Sequence, residues 1–142
     1  MGFLIAPKLA GKIMAGLTML LVDDDWHTQN IFALIAACHG SKVTIVKDAE
    51  SALNYLERHR PDLIVLDLYL DGVDGFQILR LIRNSPLDPC CPIVATTAYF
   101  TPMTLSWSVL SGFDGYLEKP FKVESLWPFC EALARGWRNT LH

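Results

Sequence analysis

Several features that would assign a function directly are missing from this chain of 142 residues. It has no run of lysines and arginines that could follow a nucleic-acid backbone, and its net charge is -3. Because phosphate contacts supply most of the affinity of nucleic-acid-binding proteins, we expect no direct binding to nucleic acid. The apolar N-terminal region is interrupted by Lys8 and Lys12, so it does not reach the roughly 20 apolar residues of a membrane-spanning helix. We therefore expect no association with a membrane.

The four cysteines show no metal-binding pattern. Cys38, Cys90, Cys91 and Cys130 contain no C-x-x-C spacing, and Cys90 and Cys91, as sequence neighbours, are poorly placed to bond to each other. They are typical of buried thiols in a reducing compartment. We therefore predict a cytoplasmic protein.

The chain length fits one domain with a single substantial core. The sequence has no internal repeat, low-complexity tract or linker rich in proline and serine. We divide it into an N-terminal extension (residues 1–16), one domain (residues 17–135) and a C-terminal tail (residues 136–142).

Four short apolar runs end in residues that can handle a phosphoryl group or a metal ion. They lead to Asp23-Asp24, to Asp67, to Thr97 and to Lys119. Segments with helical spacing alternate with these runs and with a β-branched run at Val43–Lys47. This alternation predicts an α/β fold, a doubly wound five-stranded parallel sheet with helices on both faces. The carboxyl ends of parallel strands share one edge of a sheet, so these side chains are expected to converge there.

The expected cluster has the chemistry of phosphoryl transfer to a carboxylate. Asp67 would be the nucleophile, and Asp23 and Asp24 would hold Mg²⁺, which prefers oxygen ligands. Thr97 could donate its hydroxyl, and Lys119 its ammonium, to phosphoryl oxygens. Three carboxylates close together also require cations, which Mg²⁺ and Lys119 would supply.

In this order and at this spacing, the motifs resemble the receiver domain of two-component response regulators. The resemblance covers about residues 17–135 and includes Asp74-Gly75, Thr97-Ala98 and Lys119-Pro120. It implies a strand order of 2-1-3-4-5, which is the flavodoxin-like order. It also implies a cis peptide bond before Pro120, the backbone carbonyl of Tyr69 as a further metal ligand, and a switch in which Thr97 moves inward and Tyr116 follows.

The same resemblance implies the function. A histidine kinase or a phosphotransfer protein would donate phosphate from a phosphohistidine to Asp67, and a downstream protein partner would bind the altered surface. Such a chain catalyses only its own phosphorylation and dephosphorylation and is not otherwise an enzyme. The sequence leaves a homodimer open.

Three other interpretations make different demands on the sequence. The chain could be a receiver fragment of a longer response regulator or of a hybrid histidine kinase. A phosphohydrolase with an aspartate nucleophile usually needs an acid two residues after the nucleophile, where this chain has Tyr69. A dinucleotide-binding domain needs a glycine-rich loop after its first strand, where this chain has three aspartates.

Some residues near these motifs are explained by local structure. Asp25 is expected to start a helix, and Thr96 to pack inward. Among the histidines, only His27 lies near the acidic pair and merits a test. Two departures from the family pattern are Asp71, at a position where proline is common, and Pro128, which is expected to bend or delay the last helix.

Aromatic residues suggest two further hypotheses. Tyr69 and Tyr99 follow Asp67 and Thr97 by two residues, and their rings could obstruct the attacking water, which would slow loss of the phosphoryl group. Large side chains are also crowded into the C-terminal third. We expect some of them to form an exposed interaction patch, with Met103, Trp107 and Trp127 as its candidates.

Overall fold

A computed structural model describes residues 16–70, 72–99 and 101–138. At residues 105, 108–110 and 138 it describes the backbone only. Its main sheet has five parallel strands in the order 2-1-3-4-5. This confirms the predicted α/β fold and its strand order. In chain order the strands are β1 (Thr18–Val22), β2 (Lys42–Val46), β3 (Leu63–Asp67), β4 (Ile93–Thr97) and β5 (Gly115–Glu118).

Five helices connect or follow these strands in the described part of the chain. They are α1 (Trp26–Cys38), α2 (Ala49–Leu56), α3 (Gly75–Arg83), α4 (Pro102–Leu110) and α5 (Val123–Arg138). The first three begin at aspartates, Asp25, Asp48 and Asp74, whose carboxylates accept a backbone N–H from the first turn. Such caps satisfy donors that have no partner inside the helix. This is the structural role predicted for Asp25.

Two apolar cores lie on opposite faces of the sheet because side chains alternate along each strand. On one face, α2 and α3 pack on residues such as Leu20, Ile64 and Ala95. On the other, α1 and α5 pack on residues such as Met19 and Val65. The central strand β3 is buried along its whole length, as predicted for a strand that is covered on both faces.

Several local predictions need correction. Trp127 is only 6% exposed and stacks on His39, so it belongs to the core and not to the proposed aromatic patch. Pro128 does not delay the last helix, which begins at Val123 and passes through the proline. That helix continues to Arg138, three residues past its predicted end near Arg135. The first turn of α5 precedes Pro128, so the missing N–H interrupts the helix only after it has begun.

The cysteines are all free thiols, but only two fit the prediction of burial. Cys91 and Cys130 are buried, and their burial raises both thiol pKa values to about 12. Cys38 and Cys90 are exposed: Cys38 is the last residue of α1, and Cys90 lies in the loop before β4.

Polar contacts hold the amino edge of the sheet together. Arg83, at the end of α3, donates to Asp88 Oδ1 and to Asp114 Oδ2, each at 2.8 Å. Asp114 Oδ2 also accepts the backbone N–H of Ile93 at 2.9 Å. Nearby, the Trp137 indole N–H donates to the Cys90 carbonyl at 2.7 Å. These contacts join α3, α5, β4 and the loop before β4.

Candidate functional site

At the carboxyl edge, Lys119 lies between two buried aspartates. Its Nζ is 2.9 Å from Asp23 Oδ2 and 3.3 Å from Asp67 Oδ2. Asp23 follows β1, and Asp67 is the last residue of the adjacent strand β3. Lys119 follows β5, two strands away from β3. The strand order therefore brings together three residues that are far apart in the sequence.

Asp24 completes a group of three carboxylates. One oxygen from each of Asp23, Asp24 and Asp67 lies within 4.8 Å of the others, with Asp24 exposed and the other two buried. Asp23 Oδ2 is buried, and among the described residues it accepts no hydrogen bond of good geometry, although it forms an ion pair with the Lys119 ammonium. Such an oxygen, in a group that offers only oxygen ligands, fits a hard cation such as Mg²⁺. The donor set is therefore suited to the expected ion.

The pKa of Asp23 is raised to about 6, primarily because its burial penalises the charged form. The N–H of Asp25, which donates to Asp23 Oδ1 at 2.8 Å, and the Lys119 ammonium oppose this rise. Burial alone would lower the pKa of Lys119, but its close contacts with the Asp23 and Asp67 carboxylates and their negative charges outweigh this effect, so the net change is upward. Lys119 therefore remains a cation, and the site attracts more positive charge.

Both threonines of β4 are buried, but they differ in their contacts. Thr96 aligns with Asp67 across the sheet, and its hydroxyl has no hydrogen-bond partner among the described residues. Thr97 is the last residue of the strand, and its Oγ1 accepts the N–H of Tyr99 at 3.0 Å. The Thr97 carbonyl accepts the N–H of Lys119 at 2.9 Å. Thr97 is thus tied by its backbone to the lysine of the site.

The loop after Asp67 folds back as a short antiparallel hairpin, in which Tyr69–Leu70 pairs with Val73–Asp74. The Tyr69 N–H donates to Asp67 Oδ1 at 3.0 Å, which fixes the carboxylate relative to the loop. Gly72 has a positive φ of 71°, as expected if glycine makes this turn. Asp71 lies outside the described residues.

Gly75 has a steric role that the sequence did not reveal. A Cβ atom at this position would collide with the Asp67 carbonyl and with Leu68. Its N–H also donates to the Leu68 carbonyl at 2.9 Å. The start of α3 can therefore lie directly against the loop that carries Asp67 only because residue 75 has no side chain.

Gln29 is a second residue that sequence analysis missed. Its Nε2 donates to the Asp23 carbonyl at 2.8 Å and so fixes the backbone that leads into the acidic pair. The two residues are six positions apart and match no short motif, so no sequence signal could have identified the contact.

The peptide bond between Lys119 and Pro120 is cis, as the resemblance implied. Tyr116 lies on β5, and its side chain is 44% exposed, on the opposite side of the sheet from Lys119 by strand alternation. His27 lies beside the cluster, in a groove of about 360 Å³ that also includes Asp25, Lys119 and Phe121.

Large exposed side chains, most of them aromatic, lie on the loops after β3 and β4 and on α4. The rings of Tyr69 and Tyr99 make an edge-to-face contact with centroids 6.1 Å apart. Met103 is 60% exposed and Trp107 is 52% exposed. Trp107 also lines a groove of about 410 Å³ with Tyr69 and Phe76. Two of the three residues predicted for the aromatic patch are therefore available at the surface.

Comparison with known proteins identifies the family. The model of the response regulator receiver domain matches residues 19–129. An uncharacterised 14.6 kDa protein from Leptolyngbya boryana is 35% identical over 109 residues, which cover 77% of this chain and 83% of that protein. The DNA-binding response regulator MtrA of Mycobacterium tuberculosis is 33% identical over 108 residues, which cover 76% of this chain and 46% of MtrA. The chain therefore spans about half the length of that regulator.

Solved structures agree with this assignment. The receiver domain of a sensor histidine kinase from Pseudomonas aeruginosa, crystallised with magnesium in its active-site cleft, has a TM-score of 0.75 and 31% identity. The similarity covers 85% of this chain and 99% of that domain. A response regulator from Chloroflexus aurantiacus gives a TM-score of 0.77 at 28% identity, with coverage of 84% and 98%. Among the described residues, no helix is long and apolar enough to cross a bilayer. The chain belongs to the response regulator receiver domain family.

Proposed function

We propose that this receiver domain accepts a phosphoryl group on Asp67 from a phosphohistidine of a histidine kinase or a phosphotransfer protein. The observation that carries the proposal is the position of Lys119, within 3.3 Å of both Asp67 and Asp23. One ammonium among three carboxylates leaves an excess of negative charge. Such a site is suited to a bound cation, and a cation would in turn admit a phosphoryl group.

The proposed reaction needs no other nucleophile. An oxygen of the Asp67 carboxylate attacks phosphorus, the P–O bond forms, the P–N bond of the donor breaks, and the imidazole nitrogen keeps the electron pair. The product is an acyl phosphate on Asp67. The Tyr69 N–H donates to Asp67 Oδ1, and the Lys119 ammonium lies next to Oδ2. The ammonium can then stabilise the negative charge on the phosphoryl oxygens.

We infer that Asp23, Asp24, Asp67 and the Tyr69 carbonyl would hold Mg²⁺. The ion would neutralise charge on the phosphoryl oxygens. Thr97 would supply a hydroxyl to one of these oxygens, which requires it to give up its contact with the Tyr99 N–H. By strand alternation, Tyr116 lies on the same face of the sheet as Thr97. Tyr116 would then move with Thr97, so the change at the site reaches the surface.

The readout would be contact with a downstream protein, and the patch formed by Met103 and Trp107 is our candidate surface. The cytoplasm is the expected location of such an exchange. We take residues 17–135 as the domain, whether it acts alone or within a longer regulator or hybrid kinase. The phosphohydrolase alternative is disfavoured because Tyr69 has no acidic group to act two residues beyond Asp67.

The test is phosphorylation by a small phosphodonor in the presence of Mg²⁺. The wild-type protein should gain one phosphoryl group that is stable in acid and labile in base, and the gain should disappear when EDTA is added. The variant Asp67→Asn should not be labelled, while Asp114→Asn, at the other edge of the sheet, should be labelled normally. An unlabelled wild-type protein, or a labelled Asp67→Asn, would contradict the proposal.

A further inference from the structure

Helix α1 differs from an ordinary surface helix in having no charged residue other than histidine. None of its thirteen residues, Trp26–Cys38, is Asp, Glu, Lys or Arg. A helix that packs on a core with one face usually carries charged side chains on the opposite face. Here the inner face is occupied in the ordinary way by Thr28, Phe32, Ile35 and Ala36, which are buried. The unusual lack of charged residues therefore concerns the outer face of α1.

The outer face carries the polar residues His27 and Asn30 in its N-terminal half, but its C-terminal half is apolar. Ala33, Leu34, Ala37 and Cys38 are all exposed, and Leu34 is 67% exposed. Residues at this spacing lie side by side on a helix, and we call these four residues the α1 stripe. A continuous apolar strip on a surface marks a site of contact.

The chain enters the described structure beside the end of this helix. The Leu17 N–H donates to Ser41 Oγ at 2.9 Å, and the Lys42 N–H donates to the Leu17 carbonyl at 2.8 Å. Gly16 lies so close to Gly40 that a Cβ atom at residue 16 would collide with the Gly40 carbonyl. The described chain therefore begins, at Gly16, next to the turn that follows Cys38.

The fifteen residues before this point have a composition that matches the stripe. They read MGFLIAPKLAGKIMA, contain no acidic residue, and have Lys8 and Lys12 as their only charged residues. Fifteen residues can reach about 50 Å when extended, whereas a helix of thirteen residues is about 20 Å long. We propose that residues 1–15 dock on the α1 stripe. The proposal is independent of phosphorylation.

Two exposed cysteines allow a direct test. Cys38 belongs to the stripe, and Cys90 lies outside it in the loop before β4. In the wild-type full chain, alkylation of Cys38 should be slow relative to Cys90, with the modified sites read by mass spectrometry. The variant Leu4→Glu/Ile5→Glu should raise the Cys38 rate about tenfold, equivalent to about 1.4 kcal/mol of docking free energy. The Cys90 rate should not change.

Substitution on the other side of the contact provides an independent check. Leu34→Glu should also raise the Cys38 rate, whereas Leu81→Glu, on an exposed leucine of α3, should leave it unchanged. Equal Cys38 rates in the wild type and in Leu4→Glu/Ile5→Glu would overturn the proposal. Protection that increases with protein concentration would also overturn it, because a second copy of the chain would then cover the stripe.

Discussion

The two edges of the same sheet use charged side chains in opposite ways. At the amino edge, Arg83 contacts both Asp88 and Asp114, and each of these carboxylates also accepts a backbone N–H. At the carboxyl edge, Lys119 contacts the carboxylates of both Asp23 and Asp67, and the Asp24 carboxylate lies within 4.8 Å of these two. The first arrangement is satisfied within the protein and is structural. The second is left electrostatically incomplete, which is what a site for a cation and an anionic group requires.

The largest effect we expect from this contrast is the pH dependence at the carboxyl edge. The pKa of Asp23 is 3.8 as an ordinary carboxyl and about 6 in the folded protein, because burial penalises its charge. A raised pKa means that the folded state binds the proton more tightly. The stabilising contribution of Asp23 is therefore complete below pH 3.8 and is lost as the pH rises through 6.

This contribution can be isolated by comparing the wild type with Asp23→Asn in EDTA. Between pH 3.8 and values above 6, the wild type should lose up to about 3 kcal/mol of unfolding free energy relative to the variant. Urea denaturation at a series of pH values would measure the difference. Adding Mg²⁺ should reduce the loss at pH 7. A difference that is constant with pH would show that Asp23 does not titrate in this window.

The next effect tests the amino edge. Arg83→Met should lower the unfolding free energy by about 2 kcal/mol, because Asp88 and Asp114 lose their shared cation but remain partly accessible to water. Phosphorylation of Asp67 should persist at a temperature where the variant is folded. Arg80→Met, on an exposed arginine one turn earlier, is the matched control and should have little effect on stability.

A smaller effect concerns the lifetime of the phosphorylated state. The rings of Tyr69 and Tyr99 contact each other, and the Tyr69 backbone N–H is bonded to Asp67 Oδ1. We expect these rings to hinder water from reaching phosphorus in line. The variant Tyr69→Asn/Tyr99→Ala should lose its phosphoryl group about tenfold faster, a change of about 1.4 kcal/mol in the barrier. Decay of the acyl phosphate would be followed after the donor is removed. Tyr55→Ala, on α2, should decay like the wild type, and an unaltered decay in the double variant would refute the role of the rings.

The smallest expected effect concerns the hydrogen bond between Trp137 and Cys90 at the amino edge. Trp137→Phe removes the indole donor to the Cys90 carbonyl but keeps most of the apolar ring. We expect a loss of about 1 kcal/mol in unfolding free energy, the usual net value of one such hydrogen bond. Thermal or urea denaturation would measure it. Phosphorylation should be unaffected, since the contact lies at the other edge of the sheet.

The carboxyl edge was largely predictable from the sequence, and the amino edge was not. Asp23, Asp67, Thr97 and Lys119 each come at the end of an apolar run, so parallel strand geometry predicted that they share one edge of the sheet, and the family resemblance supplied the strand order. By contrast, the pair Arg83 and Asp114 is separated by 31 positions and belongs to no motif. Such a contact depends on how α3 packs against β4 and β5, which periodicity does not determine.

Burial of individual aromatic and sulfur-containing side chains was also beyond sequence analysis. Trp127 and Trp107 occur in similar helical contexts, but one stacks on His39 inside the core and the other is exposed. Likewise, Cys38 and Cys91 differ in exposure. Hydrophobicity predicts that such residues tend to be inside, but the side of the helix that meets the sheet decides each case.

The close contact at Gly75 means that the dipeptide Asp74-Gly75 meets two separate structural requirements. Asp74 supplies an oxygen that caps α3, and Gly75 supplies the empty volume against the Asp67 carbonyl. These demands are unrelated, one for an acceptor and one for the absence of a methyl group, and they fall on adjacent positions. A search for this loop should therefore score the two residues jointly. An alanine at the second position would indicate that the residue corresponding to Asp67 is displaced, even in a chain that keeps every acidic residue.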